Sequence, residues 1–428
     1  MMRALYRNAE VFRKGVLERL DVAVSGGRID RLARGISPMG FDQVFDLTDL
    51  LLVPGFVDVH VHLREPGFSY KETIASGTRA AARGGYSCVC AMPNVDPPPD
   101  DLAHLRAQLD VIERDARVRV LPYGALTRGR RGEGVPADYA ALAPYVAGFS
   151  DDGTGVRDEA AMDACMRGVR AVGGIVAAHC EDESMLNGGY IHDGAYARRH
   201  GHSGIPSESE WGQLARDLKL VRRIGCRYHL CHASTKQSVE LIREAKREGL
   251  DVSCETAPHY LTLTDEQIEE HGRFKMNPPL RSAADRDALI EGLRDGTIDM
   301  IATDHAPHSA EEKGRGLAGS AMGVVGLEMA FPVLYTRLVE PGTVPLATVL
   351  AALTDAPRRR FALPGGLEAG MEADFAVWDM HGAYTVDPEG FASMGRATPF
   401  EGWAVKGLCR MTMVGGRRAY GDLSDRAQ

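Results

Sequence analysis

The sequence predicts an α/β protein in which a (β/α)8 barrel is joined to a small β-sandwich built by both chain ends. Between residues 55 and 363, short β-rich runs alternate with helical stretches of ten or more residues, the pattern of a parallel barrel. Residues 1–54 and 364–428 instead carry short strand patterns bounded by glycines. The 428 residues suffice for one large and one small domain, and we place the domain boundaries at these positions.

Eight strands alternating with helices predict a TIM-type barrel. The predicted barrel strands are residues 56–62, 86–92, 117–123, 145–151, 174–179, 227–232, 251–255 and 299–304. After the sixth strand, a helix is predicted over 235–248. Ser234 and Gln237 have the spacing of a capping box at its start, and Gly249 follows its end. Short strands of the terminal domain are predicted at 22–24, 373–378 and 411–414.

Composition and charge exclude several classes of function. Hydrophobic residues make up 44% of the chain and charged residues 25%, as in folded globular proteins. Because the net charge is −9, neither nucleic acid nor an anionic membrane is expected as the main partner, although a local basic cluster can still bind a small anion. No run of 18 apolar residues occurs, and the N-terminus lacks an apolar signal core. We therefore expect a cytoplasmic protein with no membrane span.

The cysteine pattern points to reduced, buried thiols. The eight cysteines are at 88, 90, 165, 180, 226, 231, 254 and 409. None forms a Cys-x-x-Cys pair, and most lie inside apolar runs. A disulfide set and a structural zinc site are the alternatives.

Polar residues interrupt the first predicted barrel strand on one face. Asp58, His60 and His62 alternate with valines, so all three point to the same side. A buried barrel strand is usually a continuous run of Val, Ile and Leu, and three inward polar groups therefore need a partner such as a metal. Alone, the His-x-His pattern also fits a hydrogen-bonded core pair or a surface pair.

Other predicted strands end in residues of the same kinds. The fourth strand ends at Asp151 and is followed by Asp152; the fifth, sixth and eighth end at His179, His232 and Asp304. Each aspartate alone could merely cap the following helix, but capping does not explain the histidines. Histidine and carboxylate ligands from five strands at the active-site face of one barrel suit two zinc ions that share a bridging oxygen ligand.

The ordered set of motifs resembles the dihydroorotase family of the amidohydrolase superfamily, specifically its long bacterial type. The sequence PGFVDVHVH at 54–62 resembles the barrel entry of the superfamily. The motifs that resemble dihydroorotase are HLREPG at 62–67, MPN at 92–94, SDDG at 150–153, AHCED at 178–182, CHAST at 231–235, KMNPPLR at 275–281, TDHAPH at 303–308 and GVVGLE at 323–328. The resemblance implies a zinc-dependent enzyme with a TIM-type barrel.

The resemblance assigns ligands to two zinc ions. His60 and His62 would bind one ion, and His179 and His232 the other. Asp304 would lie against the first ion as the catalytic proton carrier. Asp152 and a hydroxide would bridge the two ions, with Asp151 as the alternative bridge. In many relatives the bridge is a carboxylated lysine, but this chain has no lysine between 71 and 219.

The resemblance also implies a set of substrate contacts. They are His62, Arg64, Asn94, Asn277, His308 and the backbone of Met322 and Gly323. The fork of donors on Arg64 suits a carboxylate, although an ordinary surface arginine is the alternative. Asn277 could instead be a turn residue before two prolines. His259 and His305 are interpreted as structural.

The implied activity is the reversible cyclisation of N-carbamoyl-L-aspartate to L-dihydroorotate in pyrimidine (UMP) biosynthesis. A hydantoinase or allantoinase would share the fold and metals, but the missing bridge lysine and the presence of Arg64 argue against it. A non-catalytic subunit of aspartate transcarbamoylase would lack ligands, whereas all are present here. A homodimer and an association with that transcarbamoylase are further expectations.

The segment 308–322 is predicted to be a mobile lid, because its glycines and mixed charges offer little to tie it to a core. An ordinary connection before the next helix is the alternative.

Overall fold

The two chain ends meet in one eight-stranded sheet in the computed structural model, which describes residues 2–428. Its strands are β1 (Arg3–Arg13), β2 (Val16–Ser25), β3 (Arg28–Ala33), β4 (Gln43–Asp46), β5 (Leu51–Pro54), β17 (Phe375–Thr385), β18 (Ala404–Val414) and β19 (Arg417–Gly421). Their order is β19-β18-β17-β5-β1-β2-β3, with β4 beside β1. The antiparallel pairing of β17 with β5 joins the C-terminal strands to the N-terminal ones by backbone hydrogen bonds.

Apolar layers cover both faces of this sheet. Tyr6 and Phe375 belong to one buried cluster, and their rings lie 5.1 Å apart, edge to face. Leu5, the neighbour of Tyr6 along β1, points to the opposite face and packs with Ala23 and Ile36. The sheet therefore has its own core. The exact division of the chain into 1–54 with 364–428 and 55–363 stays a prediction.

The middle of the chain forms the predicted barrel. Its strands are β6 (Phe56–Val61), β7 (Tyr86–Ala91), β8 (Arg119–Pro122), β9 (Gly124–Ala125), β10 (Phe149–Ser150), β11 (Ile175–Ala178), β14 (Arg227–Leu230), β15 (Val252–Thr256) and β16 (Met300–Ile301). All neighbouring pairs are parallel. β8 pairs with β7 and β9 with β10, so these two segments form one interrupted strand and the barrel has eight.

The barrel closes between its first strand and the segment after its last. A parallel bridge joins Val61 to His305, and the His62 N–H donates to the His305 carbonyl at 2.8 Å. The small sheet β12 (Ile191–His192) and β13 (Gly204–Ile205) is an insertion after β11. The predicted fold class, an α/β barrel with a small β-sandwich from both ends, is confirmed.

Fourteen helices lie among residues 2–428, most of them packed around the barrel. They are α1 (Ile74–Arg83), α2 (Leu102–Asp115), α3 (Tyr139–Leu142), α4 (Glu159–Ala171), α5 (Ala195–His200), α6 (Glu208–Ile224), α7 (Lys236–Arg247), α8 (Pro258–Thr262), α9 (Ala283–Asp295), α10 (Ala310–Lys313), α11 (Gly316–Gly319), α12 (Ala330–Leu334), α13 (Leu346–Leu353) and α14 (Asp355–Phe361). In this part of the chain, no helix combines the length and apolar character needed to span a bilayer. All eight cysteines are buried with free thiols, as predicted.

The predicted start of α7 is wrong by one residue. The N-cap is Thr235, whose side chain accepts from the Ser238 N–H, and the helix begins at Lys236. Ser234 does not cap the helix because its hydroxyl donates to the buried Glu210 carboxylate. Gly249 lies in the left-handed region just beyond the helix end, as its position predicted.

Candidate metal centre

Six histidines and aspartates meet at the carboxyl-terminal rim of the barrel. His60 lies in β6 and His62 directly after it, while the others follow β10, β11, β14 and β16. Because the carboxyl ends of parallel barrel strands share one rim, strand-end residues far apart in sequence converge there. All six side chains are buried. The converging residues are His60, His62, Asp152, His179, His232 and Asp304.

Asp152 lies between the two histidine pairs. Its Oδ1 is 3.3 Å from His60 Nε2 and 3.6 Å from both His179 Nδ1 and His232 Nε2. Its Oδ2 is 3.6 Å from His62 Nε2. One carboxylate therefore faces all four imidazoles, which is the position of a bridging ligand.

Asp304 lies beside the first histidine pair only. Its Oδ1 is 2.9 Å from His62 Nε2 and 3.5 Å from His60 Nε2. Asp304 and His232 have φ values of 47° and 35°, in the left-handed region that non-glycine residues seldom adopt. Such backbone conformations cluster at functional sites, where surrounding structure holds side chains in place.

The donor set fits a metal. His60 Nε2 and Asp152 Oδ1 are buried, and neither has a hydrogen-bond partner among residues 2–428. Leaving such atoms unsatisfied costs free energy, which coordination to a cation would offset. His179 Nδ1 and His232 Nε2 lie only 2.9 Å apart, so both nitrogens face one location. His60 belongs to three groups of possible ligands: one with His62 and Asp304, one with Asp152 and His232, and one with Cys231 and Glu255.

Charge within the cluster perturbs its titration. Burial opposes the charged form of His60, but the Asp152 and Asp304 carboxylates raise its pKa well above the ordinary value. Burial also opposes ionisation of Asp152, yet His60, His179 and His232 hold the pKa of this carboxyl well below its usual range. Asp152 is therefore a carboxylate at neutral pH, as a metal ligand must be.

The cluster forms one wall of a cavity of about 230 Å³. The predicted substrate contacts line it: His62, Arg64, Asn94, Asn277, His308, Met322 and Gly323. Arg64 is only 8% exposed, which excludes the interpretation as an ordinary surface arginine. Burial lowers its pKa to about 10, so it stays a cation at neutral pH. Metal-type ligands and a buried cation thus share one cavity.

Sequence comparison decides the family. A family model described as "Dihydro-orotase-like" matches residues 49–238. The chain is 48% identical to a dihydroorotase of Anoxybacillus flavithermus, with 94% of this chain and 95% of the relative covered. It is also 48% identical to a dihydroorotase of Bacillus caldolyticus, over 96% and 97% of the two chains. The chain belongs to the dihydroorotase family.

Solved structures agree with this family's fold. An L-hydantoinase (dihydropyrimidinase) from Arthrobacter aurescens superposes with a TM-score of 0.89 at 25% identity, covering 98% of this chain and 96% of that one. A dihydropyrimidinase from Brevibacillus agri superposes with a TM-score of 0.84 at 20% identity, covering 99% and 96%. The barrel with its terminal β domain is therefore shared with other cyclic amidohydrolases.

Of the two neighbouring aspartates in the family's SDDG motif, Asp151 does not face the imidazoles. Its carboxylate accepts from the backbone N–H groups of Leu126 and Thr127 at 2.8 and 3.1 Å, and from that of Gly132 at 3.1 Å. The Thr127 hydroxyl donates to it as well. Asp151 therefore braces the loop after β9, and its carboxylate is engaged there and not with the histidines.

Two buried residues beside the cluster were missed from the sequence. Glu255 Oε1 lies 2.7 Å from His60 Nδ1, and its Oε2 contacts His229 Nε2. From the sequence, both residues are predicted only as parts of the barrel strands 227–232 and 251–255, with no further role. The available signal was an ionisable side chain within each of two short barrel strands whose positions are nearly all buried.

Asp58 helps to close the barrel and does not face the histidine–aspartate cluster. Its carboxylate accepts from the Thr303 hydroxyl at 2.6 Å and from the His60 N–H at 3.0 Å. Burial raises the pKa of Asp58 to about 7. Asp58, which the sequence placed on the inward face of β6, therefore links this first strand to the residues that follow the last strand, β16.

Of the two asparagines of the cavity, Asn94 contacts the cluster directly and Asn277 is linked to it through Glu181. Asn94 Oδ1 lies 2.8 Å from His62 Nδ1, so it orients that ring. Asn277 donates to Glu181 Oε2 at 2.9 Å, and the same oxygen is 3.5 Å from His179 Nε2. Asn277 is therefore more than a turn residue.

His308 is held as a neutral ring. Its Nε2 donates to the Met322 carbonyl at 2.8 Å, and its Nδ1 is 3.3 Å from Lys71 Nζ. Burial, followed by the charges of Arg64 and Lys71, lowers the pKa of His308 to about 3. Lys71 also pairs with Glu312 at 2.8 Å.

The two histidines interpreted as structural are both buried. His305 accepts at Nδ1 from the Gly326 N–H at 3.2 Å, and its Nε2 is 3.4 Å from the Glu72 carboxylate. These contacts agree with a structural role for His305. His259 packs against Tyr260, with ring centroids 4.1 Å apart.

The segment 308–322 is anchored, and the expectation that little ties it to a core is wrong. It contains α10 and α11, with a capping box between Ser309 and Glu312. Leu317 is buried, and so is Lys313, whose ammonium donates to backbone carbonyls. These contacts join a lysine side chain to backbone carbonyls, one of them distant in the sequence. A search for periodic apolar residues cannot predict them.

Proposed function

We propose that the chain is a dihydroorotase that interconverts N-carbamoyl-L-aspartate and L-dihydroorotate in pyrimidine (UMP) biosynthesis. One observation carries the proposal: the histidine–aspartate cluster and Arg64 line the same cavity. A metal centre can activate a cyclic amide for opening, and a buried guanidinium can bind a carboxylate beside it. Dihydroorotate carries both groups on one small ring.

We propose two zinc ions for the cluster. His60, His62 and Asp304 would hold one, and His179 and His232 the other, with Asp152 shared. Imidazole nitrogens and carboxylate oxygens are ligands that zinc accepts. When bound, such ions polarise an amide carbonyl and lower the pKa of a water nucleophile.

Asp304 would carry the proton in both directions. Burial opposes its charge, but His60 and His62 lower its pKa, so it is a carboxylate at neutral pH. In ring opening it accepts a proton from the attacking water and delivers it to the leaving ring nitrogen. In ring closure it takes the proton from the ureido nitrogen and returns it to the departing oxygen.

The substrate carboxylate would bind to Arg64. Arg64 Nε is committed to the Pro307 carbonyl at 3.1 Å, which fixes the plane of the guanidinium. Asn94 and the neutral His308 line the same cavity. Asn277 would contact the ring. Of the backbone pair at 322–323, the Gly323 N–H already donates to the Lys275 carbonyl at 3.0 Å, so we assign the substrate contact to the Met322 amide.

Two alternatives are less well supported. The superposed hydantoinase favours a related ring-opening activity, but hydantoin has no carboxylate to use Arg64. A non-catalytic subunit of aspartate transcarbamoylase would not need a complete ligand set. The free, buried thiols suit the proposed cytoplasmic location. The homodimer and the transcarbamoylase association remain predictions from the resemblance.

Purified protein supplied with zinc should be offered L-dihydroorotate, hydantoin and allantoin in parallel assays. We expect dihydroorotate to be opened with the highest kcat/KM, and about two zinc ions per chain by elemental analysis. Faster opening of hydantoin or allantoin would favour the alternative activity. No turnover of any ring despite bound metal would favour the non-catalytic subunit.

A further inference from the structure

Lys313 is a buried lysine whose hydrogen-bond partners are all neutral. Its side chain is 5% exposed, and its Nζ donates to the carbonyls of Lys275, Ala321 and Gly323 at 3.0, 2.8 and 2.7 Å. Three acceptors match the three protons of an ammonium. Among residues 2–428, no carboxylate forms an ion pair with it.

Holding a cation here is costly. Burial, and then the nearby Lys275, lower the pKa of Lys313 to about 7. The loop has other ties, since the Ser320 hydroxyl donates to the Lys313 carbonyl at 2.9 Å and Leu317 is buried. A Cβ placed on Gly272 would lie 2.3 Å from that same carbonyl, so the two backbone segments approach closely there. The loop therefore has packing contacts and hydrogen bonds besides those of the Lys313 ammonium.

The three carbonyls belong to two segments that line the cavity. Lys275 lies two residues before Asn277, and Ala321 and Gly323 flank Met322. The Ala321 carbonyl and the Met322 N–H belong to one planar trans peptide, in which the two groups point in opposite directions. Turning that carbonyl toward Lys313 turns the Met322 N–H away from it. The Met322 carbonyl in turn bonds His308 on the cavity side.

We propose that Lys313 is a positioning residue for substrate recognition: its ammonium orients the backbone at 321–323 so that the Met322 N–H is presented to the substrate carboxylate. Lys313 does not touch the substrate itself. The inference rests on the proposed function, since it concerns the carboxylate that distinguishes dihydroorotate from a simple cyclic amide. Lys313 would thus influence substrate specificity through the orientation of the backbone at 321–323.

The test compares Lys313→Met, which keeps an unbranched side chain one atom shorter and removes its donors, with Lys219→Met on the exposed face of α6 as the control. Steady-state kinetics with L-dihydroorotate, zinc content and thermal melting are measured for both and for the parent. We expect Lys313→Met to raise KM at least about tenfold while kcat changes less than about threefold, the size of effect expected for one lost hydrogen bond to a charged group. Zinc content should not change, and Lys219→Met should match the parent.

Three results would contradict either the role of Lys313 or the proposed function on which it rests, and the measurements distinguish them. If the parent opens no dihydroorotate, the proposed function fails and takes this inference with it. If the parent is active and KM of Lys313→Met stays within twofold, only the role of Lys313 is wrong. If KM, kcat and zinc content all deteriorate together, Lys313 supports the fold, and the positioning role is wrong. Should Lys313→Met not fold, Lys313→Gln, which retains two donors, must show the same selective rise in KM to a smaller extent.

Discussion

Glu255 Oε1 lies 2.7 Å from His60 Nδ1, with both side chains fully enclosed by the barrel. Burial opposes the charge on Glu255, but His229 and His60 hold the pKa of its carboxyl far below the ordinary value. The ionised carboxylate accepts a hydrogen bond from the Nδ1–H of the His60 ring, so Nε2 is the ring nitrogen directed at Asp152. Glu255 thereby selects the tautomer that can bind a metal.

Glu255→Gln should weaken metal binding without unfolding the protein. A neutral amide no longer stabilises the Nδ1–H form of His60, and losing such an outer carboxylate typically lowers metal affinity about 10–100-fold. The loss of affinity is measured as the amount of zinc that the variant and the parent retain at each chelator concentration. Glu244→Gln, on the exposed face of α7, is the matched control and should retain zinc like the parent. Equal retention by Glu255→Gln would show that His60 does not depend on Glu255.

The adjacent aspartates should separate metal binding from stability. Asp152→Asn should lose bound zinc and activity, because its carboxylate faces four imidazoles. Asp151→Asn should retain zinc but melt at a lower temperature, since its carboxylate accepts from three backbone N–H groups. A cost of about 1–3 kcal/mol is expected for impairing such buried hydrogen bonds. The assignment of the bridge is wrong if the two phenotypes are exchanged.

Asp304→Asn should abolish turnover in both directions. An amide cannot accept and return a proton, and removing a general acid–base typically costs about 10²–10⁴-fold in rate. Dihydroorotate opening and carbamoyl-aspartate closure are both assayed, with zinc content measured on the same samples. Asp295→Asn, at the end of α9, is the control. Activity of Asp304→Asn within a few-fold of the parent would mean that another group carries the proton.

Arg64→Lys should weaken dihydroorotate binding more than it disturbs the metals. A point charge cannot replace the fixed fork of donors, and a lysine cannot reproduce the Arg64 Nε bond to the Pro307 carbonyl. We expect KM to rise by at least about tenfold, consistent with the loss of a charge-assisted hydrogen bond. Arg79→Lys on the exposed face of α1 controls for the substitution itself. An unchanged KM would remove Arg64 from the substrate site.

His308 should remain neutral throughout the physiological pH range. Its pKa in the folded protein is about 3, below the ordinary 6.5, so between these values the unfolded chain binds the extra proton. The contribution of His308 to the free energy of unfolding therefore rises with pH across this window and is constant above it. NMR titration should show no protonation of this ring from pH 5 to 8. Lys71→Met should raise the pKa of His308, because one of its neighbouring cations is removed. Titration of the parent ring near 6.5 would contradict the assignment.

The sequence alone determined the architecture and the residues that converge at the barrel rim. Each barrel strand is a local pattern of apolar residues, and His179, His232 and Asp304 each end a predicted strand, where parallel strands must share one rim. The two-residue period put His60 and His62 on one side of β6. Resemblance to the family supplied the choice of Asp152 over Asp151, which composition and spacing left open.

The tertiary structure decided every relationship that depends on contacts between distant segments. Glu255 orients His60, which is 195 residues away in the sequence. Ser234 hydrogen-bonds to Glu210 and therefore does not cap α7. Lys313 anchors the segment 308–322, which the sequence predicted to be mobile. Its partners are backbone carbonyls, including that of Lys275, and no side-chain pattern predicts such contacts. Local sequence encodes strands and their faces, whereas the partner of a buried charge is fixed only when the folded chain brings both groups together.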